Sequence, residues 1–193
     1  MANSVSNVIA GKPNAAGGVW GGPLGSPVPT DATTALDAAL KPYGYISEDG
    51  LTENIEASTE KIKAWGGDIV KVVQTDYSVS YTFTFIESQN ADVLKAVFGA
   101  DNVVTTAATT TAGTKHAVKR TSDILPHQVW VFEVKDGDAR VRVVVPDGQA
   151  TLSGEITYVD GGVISYSVTV EAFRDATTGA QSISYSDDGK FSA

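Results

Sequence analysis

Between Tyr77 and Ile86 the chain alternates without interruption. Val79, Tyr81, Phe83 and Phe85 fall on one side, and Ser78, Ser80, Thr82 and Thr84 on the other. A period of two over this length describes a strand with one face in a core and one facing water. That pattern belongs to antiparallel sheets, because parallel strands are covered on both faces and read as continuous apolar runs. The second half of the chain repeats the theme. Trp130, Phe132 and Val134 share one side of residues 128–135, and Val141, Val143 and Val145 oppose Arg140 and Arg142 in 139–145. Residues 151–158 read as a further strand. In 163–173, Ile164, Tyr166, Val168 and Val170 oppose Ser165, Ser167, Thr169 and Glu171. Asp136-Gly137-Asp138, Pro146-Asp147-Gly148 and Asp160-Gly161-Gly162 supply turns between these runs. Consecutive hairpins of this kind predict a mainly β fold, an antiparallel β-sandwich or barrel.

Two segments have helical patterns. Asn90 is suited to cap 90–99, Asp92 suits the positive end, and Val93/Val97 with Leu94/Phe98 form an apolar i, i+4 face that Gly99 ends. About nine residues cannot hold a helix alone, so this one is expected to pack on the sheet. Thr30 or Asp31 can cap a shorter helix over 31–40, with Leu36 and Leu40 four apart and Pro42 as its stop. Strand character is expected to begin at Ile62 and continue through Ile69–Val73, with a loop before it over 41–61. Residues 105–114 read as a loop or weak edge strand.

The ends differ from the middle. Residues 11–30 are half Gly and Pro, which rules out a helix or a central strand, yet Val19, Trp20, Leu24 and Val28 lie among them. A flexible linker has no use for a tryptophan, so this segment is expected to drape over a surface, either a neighbouring subunit or its own domain. Residues 175–193 are polar and read as an arm or disordered tail. The expected division is an N-terminal arm with a short helix (1–40), a β-sandwich core (41–174) and a C-terminal arm (175–193).

Composition excludes several chemistries. There is no cysteine, so disulfides, thiolate catalysis and cysteine-bound metals are absent, and His116 and His127 are too few for a zinc site. No apolar run is long enough to span a bilayer, and the start lacks the layout of a signal peptide. A net charge of −9 is unsuited to gripping a phosphate backbone. The one basic cluster, Lys115-His116-Ala117-Val118-Lys119-Arg120, reads as a charged edge or loop, and His127 as structural. No phosphate-binding loop, dinucleotide fingerprint, nucleophile elbow or calcium loop is present. The adjacent carboxylates Glu48/Asp49 and Asp187/Asp188 sit in Gly-containing turns and read as solvated turn residues. The expectation is a protein with no catalytic residues, no cofactor and no metal.

What remains is architecture: amphipathic strands, a packing helix, and arms that carry burial-type residues. Sheet edges left open aggregate, and edges meant for identical neighbours close into rings. The order of several segments resembles the major tail proteins of siphophages, particularly those infecting actinobacteria. These are Gly44-Tyr-Ile-Ser-Glu-Asp-Gly-Leu-Thr-Glu53, Ile62-Lys-Ala-Trp-Gly-Gly67, Gln74 to Glu87, Asn90 to Gly99, Val141 to Pro146, Ser153 to Tyr158 and Tyr166 to Phe173. The N-terminal Gly-Lys-Pro and Pro-Val-Pro-Thr stretches fit as well, so the likeness spans about residues 8–175. Some relatives carry an extra immunoglobulin-like domain at the C-terminus, for which this chain is too short.

The resemblance implies a β-sandwich with a flanking helix, six copies of which join their strands into one barrel around a lumen. Rings then stack into a tube that conducts DNA without binding it specifically. It also implies tape-measure, tail-terminator and distal-tail proteins as partners, no membrane, assembly in the host cytoplasm, and a final place in the virion. Ser80, Thr82, Thr84, Ser165, Ser167, Thr169 and Glu171 are the expected lumen-facing residues. Trp20, Leu24, Tyr45, Ile46, Glu48, Asp49 and Leu51, in the arm and the 41–61 loop, are the expected ring-stacking contacts. Two other functions compete. A carbohydrate-binding or adhesive sandwich would use Trp20, Trp65, Tyr43 and Tyr45 in a shallow groove, and a small hydrolase would need a carboxylate pair in a pocket.

Overall fold

The computed structural model describes residues 7–14 and 17–190. Among the described residues ten strands are formed: β1 Val19–Pro23, β2 Lys41–Pro42, β3 Thr52–Lys63, β4 Ile69–Phe85, β5 Val103–Thr106, β6 Lys115–Val118, β7 His127–Asp136, β8 Ala139–Leu152, β9 Tyr166–Ala172 and β10 Ile183–Asp187. One helix, α1 Ala91–Phe98, and a 3₁₀ turn over Ala100–Asn102 lie between β4 and β5. All pairings are antiparallel. The main sheet runs β2-β1-β7-β8-β9-β4-β3, β10 pairs with β8, and β5 and β6 form a small separate sheet.

This sheet is folded over on itself. β4 and β7 are separated by β8 and β9, about 14 Å across a flat sheet. Yet the rings of Phe83 and Phe132 are 5.5 Å apart, and those of Tyr81 and Phe132 5.1 Å. The curl sits where β8 changes partners. β7 runs along one edge as far as Gln149, while on the other edge the first half of β8 pairs with β10 and the second half, from Gly148, with β9. Between Val145 and Gly148 the ladder with β7 shifts register, so Pro146 and Asp147 form a bulge. Proline is tolerated there because the ladder is already broken, and a bulge bends its strand. The expected turn at 146–148 is therefore a bend inside one long strand.

The main core fills the concave side. Tyr81, Phe83, Phe85, Trp130, Phe132, Val168 and Val170 form it, with Val93, Leu94, Val97 and Phe98 of α1 laid against them. Asn90 caps α1 by accepting from the amides of Asp92 and Val93, and the Gly99 amide donates to Lys95 at the other end. A second, smaller cluster lies on the opposite face of β7 and β8, where Leu40, Val129, Val131 and Val144 are covered by Trp20, Val28, Leu36 and Tyr185.

That second cluster explains two departures from expectation. Residues 31–40 form bends and a turn rather than a helix. Asp31 accepts from the amides of Thr33 and Thr34 and from the Thr34 hydroxyl, a local turn that competes with helix initiation. Buried Arg142 then donates to the carbonyls of Asp31 and Thr34, at 2.8 and 2.9 Å, which fixes the segment as an irregular cover. Residues 183–187, expected in a loose tail, pair with β8 instead, with Tyr185 opposite Arg142. The expected strand 151–158 is irregular beyond Leu152, and the strand expected over 163–173 runs from Tyr166 to Ala172.

Candidate assembly surfaces

One face of the β8-β9-β4-β3 quarter is polar throughout. Thr82 pairs with Thr169, Thr84 with Ser167 and Ser80 with Glu171. Thr52, Asn54 and Glu56 of β3 extend the same face beside Thr82, Ser80 and Ser78, and Thr151 of β8 joins it beside Thr169. The hydroxyls link across strands, Thr84 Oγ1 to Ser167 Oγ at 3.0 Å and Thr82 Oγ1 to Thr169 Oγ1 at 3.4 Å. These rows hold two glutamates and no lysine or arginine. Six of the seven residues expected to line a lumen are thus brought together in register. Ser165 lies just outside, one residue before β9.

The 41–61 segment departs from expectation most. Residues 52–63 are a strand, not a loop. They pair with β4 in a ribbon that continues past the body. From Thr52 to Lys63, and from Ile69 to Tyr77, every residue is exposed. Beyond the Ala57–Tyr77 pair the ribbon extends roughly 20 Å at ~3.3 Å per residue. Gly66 and Gly67 turn its tip with φ of +111° and +96°, and Trp65 beside them is fully exposed. Ile55, Ile62, Ile69, Val70, Val72, Val73 and Tyr77 are also exposed along it. A lone two-stranded ribbon is marginal in water, and apolar residues concentrated on one mark an interaction surface. Gly66-Gly67 was the readable signal, since a Gly-Gly step between extended runs marks a hairpin.

The residues expected to make ring-stacking contacts separate into two groups. Tyr45, Glu48 and Asp49 are exposed, with Leu24 close to half exposed. Ile46 and Leu51 pack on the main core, and Ile46 bridges to Phe85. Trp20 turns inward: it packs on the second cluster, and its indole N–H donates to the Gly17 carbonyl. Of its two expected resting places, its own domain holds it here.

The basic cluster lies on β6 and the residues after it. His116 bonds the Thr105 hydroxyl at 3.1 Å, and Arg120 sits 5.2 Å over the Phe98 ring. His127 opens β7, bonds Asp147 and stacks on Phe173 with centroids 4.6 Å apart. Asp31 is held down to about 2 by hydrogen bonds from the Thr34 hydroxyl and then the Thr34 and Thr33 amides. Asp175 is lowered by the Thr178 amide and hydroxyl. Both carboxylates are half-buried turn acids whose shift has a local structural cause. Among the described residues no group of three or more His, Asp or Glu side chains is placed to hold a metal ion. No helix among them is long and apolar enough to cross a membrane.

The comparisons agree with an assembling subunit. The sequence model of one family, described as phage tail tube protein, matches residues 1–188. No curated protein matches the chain.

Proposed function

The chain belongs to the phage tail tube protein family, a structural, non-catalytic and self-assembling component of the virion tail, and from that footing we propose that six copies close into a ring whose strands form one barrel around a lumen. Rings stack into the tube of a siphophage, and DNA passes through during ejection. Subunits meet in the host cytoplasm, along with tape-measure, terminator and distal tail proteins.

The observation that carries this reading is the cation-free Ser/Thr face on β4 and β9. A wall that conducts DNA has to be wetted without offering counter-charges to phosphate, since each cation set against a phosphate adds affinity through counterion release. Hydroxyl rows with Glu56 and Glu171 satisfy both needs. The exposed edge of β3 supports ring closure: it is the last strand of the sheet, and its outer backbone groups have no partner strand among the described residues. The lumen set is Ser80, Thr82, Thr84, Ser167, Thr169 and Glu171, with Ser165 at its margin. Tyr45, Glu48 and Asp49, with Leu24, remain the exposed stacking candidates.

Negative-stain electron microscopy across a concentration series, with mass in solution, tests the assembly. Rings or tubes with a central hole are expected. In such tubes, capped at their ends, a cysteine introduced by Thr82→Cys reacts with a small thiol reagent and is spared by one wider than the lumen. Full labelling by the large reagent would place β4's polar face on the outside and overturn the assignment.

A further inference from the structure

The ribbon tip and the groove that suits it lie at opposite ends of one strand. β4 has 17 residues, roughly 55 Å at ~3.3 Å each. Trp65 precedes its first residue, and Ile86 and Glu87 follow its last. At that far end a groove of about 530 Å³ is lined by Pro13, Pro42, Tyr45, Ile46 and Glu87 among others. Two prolines and a tyrosine that is 72% exposed give flat apolar surface of the kind an indole covers well. The Glu87 carboxylate is built into the wall: its oxygens accept from the Tyr45 amide at 2.8 Å and the Asn90 side chain at 2.9 Å. Gly44 makes room for it, with φ +73° and a Cβ position only 2.2 Å from that carboxylate.

Charge distinguishes the two ends. From Glu60 to Lys71 the ribbon's tip holds Lys61, Lys63 and Lys71 against Glu60 and Asp68, an excess of one positive charge that Asp76, nearer the body, balances. None of these lysines has an ion-pair partner among the described residues. Among the described residues Glu87 is the one charged residue that lines the groove, and Glu48 and Asp49 follow its lining residues Tyr45 and Ile46 closely in the chain. We propose that Trp65 of one subunit seats in the Pro13–Pro42–Tyr45 groove of a second copy, with the tip lysines against its carboxylates. Because tip and groove are at opposite ends of β4, the contact is head to tail. Each copy offers one of each, so the contact is heterologous rather than a two-fold pair, and one copy can be joined to the next on either side. This deepens the tube reading and rests on it, naming the joint that carries one ring to the next.

The chain has no native cysteine, so single-cysteine variants report cleanly. Chains carrying Ala64→Cys or Ser47→Cys, which leave Trp65 and Tyr45 in place, are mixed, assembled and oxidised, and a disulfide-linked pair is expected from the mixture and from neither variant alone. Separately, Trp65→Ala is expected to need about 30-fold more protein for half-assembly, the loss typical of a buried aromatic anchor. Its circular dichroism and melting stay those of the parent, since the side chain touches nothing in the subunit. If wild-type tubes form but Trp65→Ala assembles at the same concentration, or the mixture gives no linked pair, the joint is wrong and the tube reading survives. A wild-type chain that stays monomeric at every concentration, together with no linked pair from the cysteine mixture, overturns both.

Discussion

Arg142 is the residue whose loss should reveal how the N-terminal segment is held. It is 4% exposed and opposes Glu133 across the β7–β8 ladder. Its Nε and Nη2 both donate to Glu133 Oε1, and Nη1 donates to the carbonyls of Asp31 and Thr34. The other Glu133 oxygen accepts from the Asn14 side-chain Nδ2. The Arg142–Glu133 pair thus ties two stretches of the N-terminal segment to the sheet, residues 31–34 through the guanidinium and Asn14 through the carboxylate. Arg142→Met keeps the bulk but strands a buried carboxylate and two carbonyls. Breaking a buried pair by removing one partner costs about 3–5 kcal/mol. With a urea slope near the upper end of the usual ~1–3 kcal/mol/M, the midpoint should fall by roughly 1–2 M. The double variant Arg142→Met/Glu133→Met removes the stranded charge, so it should lose at least about 2 kcal/mol less than the sum of the single changes. Limited proteolysis of Arg142→Met should cut first within residues 24–40, as the cover over Val129, Val131 and Val144 loosens. A loss under about 1 kcal/mol, as for exposed pairs, or strict additivity in the double variant, would refute the argument.

Four further outcomes are expected. Asn90→Ala removes the cap of α1 and should lower stability by about 1 kcal/mol in the same titration. Gly44→Ala forces a side chain into positive φ and against Glu87, at a cost of about 1–3 kcal/mol, detected as a lower melting temperature. Asp31 has a folded-state pKa below the ordinary 3.8, so its contribution is present above that value and is lost as pH falls from about 4 toward 2. Thr34→Val removes the largest cause, so NMR titration should find Asp31 closer to 3.8, with less acid sensitivity in that window. Val72→Ser and Val73→Ser should each raise the concentration needed for assembly while leaving subunit melting unchanged, as measured by light scattering and calorimetry.

The legible parts of the fold were those where local chemistry and burial agree. β4's alternation between Val79 and Phe85 matches its faces residue for residue, and α1 begins and ends on its capping residues. Ser80, Thr82 and Thr84 were readable as one face for the same reason, and period two aligned them with Ser167, Thr169 and Glu171 once β4 and β9 paired. What was not legible depended on distant partners. Residues 31–40 have helical spacing, but Asp31's own turn and Arg142, more than a hundred residues away, select an irregular cover. The tail strand β10 is marked only by Ile183 and Tyr185 among polar residues, and its pairing with β8 cannot be read locally. Residues 52–63 alternate charge more than hydropathy, so a test built on apolar period passes over them.

The ribbon shows what such a pattern leaves unsaid. Along β4 from Val79 to Phe85, only one face is apolar, and the subunit's own core covers it. From Ile69 to Val73 the character changes: Val72 lies opposite Lys61, and Val73, its neighbour on the other face, lies opposite Glu60. Ile69, Val70, Val72 and Val73 therefore place apolar groups on both faces of a strand that the subunit covers on neither. Continuous apolar character of this sort belongs to strands buried on both sides. Burying a valine or isoleucine stabilises by about 1.5–3 kcal/mol each, so leaving both faces wet forfeits several kcal/mol that only a neighbour can restore. A surface that touches one side of the ribbon restores half of it. Material that restores all of it must reach both faces, as in an assembly that sets the ribbon between two bodies.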